Sequence, residues 1–207
     1  MSIATPVDLR PYVNGGARAS AAHWHPIVAE ALASLPEGPL RCWGLPFAVA
    51  PAGVEGADPP RWLLVGAGRG IERTTAATIE LRSAETVGHL VFLHFCDETY
   101  DPAAGPQPQH RPAGSMIRPG QHVADYVLTF GDGGEASRSI RWRFEISETG
   151  WSWGQQAFAA RPNRQDRPLD FRGTHPGQEW GRVQKSAVGG GGRYWVYALP
   201  EPSAGGR

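Results

Sequence analysis

Trp151 and Trp153 stand two residues apart, just after the turn-forming run Glu148-Thr149-Gly150. In a strand that spacing places both indoles on one face. On a loop it makes a platform against which the C–H face of a sugar ring can stack. The competing role is that at least one of them plugs the end of a hydrophobic core. Asp97, Glu98 and Tyr100 open a long proline- and glycine-rich stretch. Carboxylates and arginines beside an aromatic are what a site for a polyhydroxylated ligand uses. Asp97 has turn residue as its plainer role. Arg141 is the matching cation, and a solvated charge is its plainer role. His94 lies inside Val91-Phe92-Leu93-His94-Phe95-Cys96. Neighbours so apolar predict a buried histidine hydrogen-bonded to backbone or to a loop acid, with ligand contact as its second role. The candidate binding set is thus Trp151, Trp153, Asp97, Tyr100, Arg141 and His94.

Other chemistries find less support. Residues 62 to 73, WLLVGAGRGIER, bring an apolar run to Gly66, Gly68 and Gly70. A dinucleotide site needs a strand, a Gly-x-Gly-x-x-Gly turn and then a helix facing the pyrophosphate. The third glycine of that motif would fall at position 71, which is Ile71, and the segment that follows alternates like a strand. A bend between adjacent strands is the better reading. The chain has no Gly-x-Ser-x-Gly, His-Glu-x-x-His or Cys-x-x-Cys. Glu145 with Glu148, or Asp97 with Glu98, can be nominated as the paired carboxylates of glycoside hydrolysis, but a chain with 20 acids offers many such pairs. His23 and His25 flank Trp24 without further ligands nearby. Cys42 and Cys96 lack zinc spacing and read as buried free thiols.

These residues have to be positioned by a chain of 207 residues with 27 glycines and 19 prolines, a composition that breaks long helices. Twenty basic and twenty acidic residues cancel, which leaves no net-charge footprint for nucleic acid or an anionic membrane. The start MSIATPVDLR lacks a secretory pattern, so the sequence as given predicts a cytoplasmic protein, or an extracellular one if it is an excised domain.

The only helical pattern covers 21–35, with Ile27, Val28, Ala31, Leu32 and Leu35 on one face after Pro26. Strands are expected at 41–50 (irregular, broken by Gly44 and Pro46), 61–68, 77–83, 89–97 (a central strand), 122–133, 137–147 and 193–200. In 137–147, Ile140, Trp142, Phe144 and Ile146 alternate with charged residues. Segments 122–130 and 137–147, joined by Gly-Asp-Gly-Gly-Glu-Ala, predict a hairpin. Residues 97–121 and 160–181 read as long loops. Many short strands with one early helix predict an all-β sandwich over 1–200 as a single domain, with 201–207 as a tail.

Seven fragments in order resemble one family. They are VDLRPYVNGG (7–16), SLPEG (34–38), GLPFAV (44–49), HLVFLHFCD (89–97), VADYVLTFGDGGE (123–135), WSW (151–153) and YWVYALPEP (194–202). The pattern resembles a galactose-binding-domain-like, jelly-roll β-sandwich module found attached to bacterial glycoside hydrolases and other polysaccharide-degrading proteins. The resemblance covers most of the chain. Two departures stand out: the closing stretch after Leu199-Pro200-Glu201-Pro202 is a polar tail, and the 97–121 loop is longer than usual. Such modules often carry a structural calcium, and Asp8 near the first strand is the candidate ligand.

The resemblance implies a non-catalytic module that binds a glycan or packs against a carbohydrate-active catalytic domain, so the expectation for enzymatic activity leans to no. Two alternatives remain. One is a structural or assembly subunit that binds protein through an open sheet edge. The other is a small glycan hydrolase or lyase.

Overall fold

The computed structural model describes residues 4–16, 31–51, 59–66, 74–81, 87–96, 119–149, 157–163 and 192–200. Among these residues there is little helix: a 3-10 turn over Arg10–Tyr12 and a helical turn at 31–33. The regular structure is strand: β1 (Gly38–Cys42), β2 (Leu45–Val49), β3 (His89–His94), β4 (His122–Thr129), β5 (Glu135–Arg141), β6 (Arg161–Pro162) and β7 (Trp195–Pro200). Among the described residues every pairing between these strands is antiparallel: β1 with β2, β4 with β5, and a sheet in the order β3-β7-β6. The chain is an all-β protein, as its composition predicts.

The main core lies between the inner faces of β3-β7 and β4-β5. Trp195, Tyr197 and Leu199 alternate down β7 and meet Ile140 of β5, with Ile146 and Ala160 closing the cluster. Leu90 and Phe92 of β3 and Ala124, Tyr126 and Leu128 of β4 pack against it. These last three follow the period of two that puts alternate residues on one face. Phe92 stacks on Tyr126 with ring centroids 4.2 Å apart. Trp195 is fully buried, and its indole N–H donates to the Glu148 carbonyl at 3.0 Å, so its polar atom carries no desolvation cost.

A second cluster gathers Leu32, Leu35, Trp62, Leu64 and Tyr194, with Leu40, Val49, Leu93 and Phe95 at its border. Asn14 organises its edge. Its side chain accepts from the Leu64 N–H at 2.7 Å and donates to the Leu64 carbonyl at 3.0 Å, substituting for a strand neighbour. Arg61, almost wholly buried, pairs with Glu37 and lies 4.9 Å over the Trp62 ring.

Several expectations are revised. Segment 41–50 is part of a hairpin, not one irregular strand, because Trp43 and Gly44 form a two-residue turn between Cys42 and Leu45. Segment 61–68 contributes isolated bridges: Trp62 pairs with Gly15, and Val65 with Thr74. The Gly66 N–H bonds back to Thr74 at 2.9 Å, so the chain that leaves at the first glycine returns eight residues later beside its exit. The described part of 77–83 alternates in sequence yet joins no strand. Of 137–147, the strand ends at Arg141, and a tight turn over 143–145 follows in which Arg143 takes φ 63°. Among the described residues β7, not β3, is the central strand of its sheet. The β4-β5 hairpin stands as expected, from Thr129↔Glu135 to His122↔Arg141. Residues 21–30 of the expected helix, most of the two long loops and the 201–207 tail lie outside the described residues.

Candidate functional site

His94 ends β3 with both ring nitrogens engaged. Nε2 lies 2.9 Å from the Glu145 carbonyl oxygen, which can only accept, so Nε2 carries the proton. Nδ1 therefore accepts from the Tyr126 hydroxyl, 2.6 Å away. The ring is stacked parallel to Tyr197, with centroids 6.1 Å apart. Burial pushes its pKa down to about 4, against a smaller upward pull from its bond to Glu145. Burial also raises the Tyr126 hydroxyl. The backbone partner expected for His94 is present; its side-chain partner is a tyrosine.

A consequence for stability follows. The unfolded chain takes up a proton on this histidine near pH 6.5, while the folded one resists until about pH 4. The folded state is then the one binding fewer protons, so stability falls as pH drops through that window. The expected loss is about 2 kcal/mol between pH 7 and 5, measured by urea unfolding, and His94→Gln should flatten it.

Arg141 and Glu145 form a closed pair. The guanidinium donates to both carboxylate oxygens, at 2.7 and 3.1 Å, and the Arg141 backbone N–H adds a bond at 3.0 Å. Glu145 is 1% exposed. Burial would raise its pKa, but these bonds and the Arg141 charge overcome that and hold the carboxyl below its ordinary range. Arg141 is raised in turn by its bond to Glu145. Its guanidinium also lies 4.4 Å over the Phe144 ring.

Asp8 is engaged by Arg10. The side chain of Arg10 reaches both carboxylate oxygens, at 2.7 to 3.1 Å, and its backbone N–H adds a bond at 3.0 Å. These bonds hold the carboxyl down to about 2. Among the described residues no group of three His, Cys, Asp or Glu side chains gathers where an ion could sit. Cys42 and Cys96 are free thiols, with Cys42 buried. Trp151, Trp153, Asp97 and Tyr100 lie outside the described residues.

The structure adds a feature that sequence reasoning missed. Trp43 occupies the first turn position of the β1-β2 hairpin at φ 52°, and Gly44 the second at φ 83°. A type I′ turn needs positive φ at both positions and favours Asn-Gly. For a bulky residue the left-handed region costs of order 1–3 kcal/mol. Yet the indole is 49% exposed. It is held in place by an Nε1–H bond to the Pro162 carbonyl at 2.8 Å, and Arg161 lies 5.8 Å over its ring. Arg41, two residues before Trp43, donates to the Gly44 carbonyl at 2.9 Å. Two short apolar runs separated by two residues were the signal in the sequence, obscured because tryptophan is no ordinary turn residue.

A second exposed aromatic surface lies past β5. Phe158 is 68% exposed and meets Phe144 edge-on at 5.2 Å, with Arg143 5.4 Å over its ring.

The fold and these surfaces define an all-β protein that presents tryptophan and phenylalanine beside arginine. No protein-family model, curated protein or solved structure matches the chain.

Proposed function

We propose that the chain is a non-catalytic jelly-roll β-sandwich module of carbohydrate-active proteins, which binds a glycan by stacking a sugar ring on Trp43. The observation that carries this reading is an exposed indole kept at a strained turn position and fixed by a hydrogen bond to β6. Strain of that kind persists where the side chain is needed in one place. A fixed, half-exposed aromatic with arginines nearby suits a sugar, whose C–H face packs on the exposed indole while its hydroxyls take the donors. The two antiparallel sheets that share one core support the sandwich part of the reading. The bonds that hold His94, Glu145 and Arg141 to one another's neighbourhood suit a structural role for all three.

The test is a binding panel of soluble poly- and oligosaccharides, run with calcium and again with chelator. Saturable binding that weakens about tenfold or more in Trp43→Ala supports the reading. Loss in Trp151→Ala alone would move the platform to the tryptophan pair. Absence of binding by a folded protein would end it.

A second reading has its own observation. Phe158 and Phe144 with Arg143 have the aromatic and arginine content enriched at protein interfaces. If the chain is an assembly subunit, its mass by sedimentation should rise with concentration, and Phe158→Ser should abolish the rise while leaving sugar binding intact.

A further inference from the structure

We propose that the Trp43 site takes an acidic sugar, a uronate whose carboxylate is held by Arg41 and Arg161; this rests on the glycan-binding reading above. One exposed arginine, Arg161, lies over the exposed Trp43 indole, and a second, Arg41, is tied to the turn that carries it. Arg41 is anchored through one guanidinium nitrogen to the Gly44 carbonyl inside the turn, which leaves its other N–H groups for a ligand. Arg161 is positioned over the Trp43 ring by β6, whose next residue, Pro162, supplies the carbonyl that fixes the indole. Among the described residues neither arginine has a carboxylate partner. Glu37, which leads into β1, is committed to the buried Arg61.

Of the other arginines that lie over rings, Arg61 and Arg141 each close on a glutamate of this chain, while Arg143, over Trp142 and Phe158, has no carboxylate partner among the described residues either. At Trp43 the positive charge is presented without a carboxylate from the described residues. A neutral sugar can take single bonds from these guanidinium groups through its hydroxyls, whereas a carboxylate matches a guanidinium fork with two parallel, charge-assisted bonds. The chain has no net charge, so attraction of polyanions to the whole surface does not compete with this local recognition.

The experiment titrates the full chain calorimetrically with oligogalacturonate, oligomannuronate and oligoglucuronate, their methyl esters, neutral xylo- and manno-oligosaccharides, and dextran sulfate. The expected result is binding of at least one uronate oligomer, weakened roughly ten- to hundredfold by methyl esterification and by Arg41→Gln or Arg161→Gln. Trp43→Asn should abolish it while the hairpin stays folded, because asparagine suits the turn better than tryptophan. Equal binding of neutral and acidic oligomers, lost in Trp43→Asn, would overturn the acidic preference and leave the glycan site standing. Binding of dextran sulfate as tight as that of the uronate would overturn it in favour of unspecific charge attraction. Failure of every sugar would overturn both.

Discussion

Gly192→Ala is expected to destabilise the protein by about 3 kcal/mol, the upper end of overpacking costs. The position admits no side chain. A Cβ built on Gly192 overlaps the Ala31 carbonyl oxygen and also crowds a Leu35 methyl. Neither neighbour yields easily: one is backbone, and the other belongs to a buried residue of the second core. The same contact is bonded, because the Gly192 N–H donates to the Ser34 hydroxyl at 2.6 Å, and that hydroxyl donates to the Ala31 carbonyl. Residue 192 leads directly into Arg193, Tyr194 and β7, so a displacement there moves the strand that carries Trp195 and Tyr197. For a chain of this size the loss corresponds to about 6–12 °C in Tm, read by thermal denaturation. Gly88→Ala is the control. Gly88 has open space around its Cβ position, so its substitution should stay within about 0.5 kcal/mol. Equal effects from both variants would show that the contact between residues 31–35 and 192 does not matter to the fold.

What the sequence shows of this fold follows from which signals are local. The β4-β5 hairpin is legible because alternation and turn residues agree, and Tyr126 and Leu128 face the core as their spacing requires. Strands β3 and β7 are legible as apolar runs, but which of them is central depends on partners distant in sequence. The alternation of Ile79 and Leu81 describes an amphipathic segment, not a paired one; Leu81 is exposed, and alternation alone supplies no neighbour. The expected strand beyond Arg141 fails for a specific reason. The Glu145 carboxylate reaches back to the Arg141 backbone and side chain, and Arg143 turns left-handed to let it do so. Trp142 and Ile146 still reach the interior, but Phe144 is only partly buried and Glu145, expected on the polar face, is buried, so the alternation misjudges both the backbone and part of the burial. At the candidate site, His94 was legible through its neighbours. Trp43 was not, since its significance lies in a backbone angle and in a hydrogen bond to a residue 119 positions away.

Arg141 was singled out in the sequence as a ligand contact, and its geometry leads to a different expected result. Arg141→Ala should lower stability, because it leaves the Glu145 carboxylate without its cation. The guanidinium itself is exposed to solvent, which screens part of the loss. If the cost comes from the stranded charge, neutralising that charge should recover most of it. Arg141→Ala combined with Glu145→Gln is therefore expected to be more stable than Arg141→Ala alone, with a favourable Arg141–Glu145 coupling in a double-mutant cycle measured by urea unfolding. The residual deficit would reflect contacts that no change at Glu145 restores, among them the guanidinium over Phe144. The pair also bears on function through position. Its turn supplies the Glu145 carbonyl that fixes His94, so weakening the pair should loosen the junction between β3 and β5, and His94 should then become easier to protonate. A ligand role predicts the opposite pattern: binding lost in Arg141→Ala, stability unchanged, and no rescue by Glu145→Gln. Stability and affinity measured on the same three variants separate the two, because a buried charge responds to its partner and a ligand contact responds to the ligand.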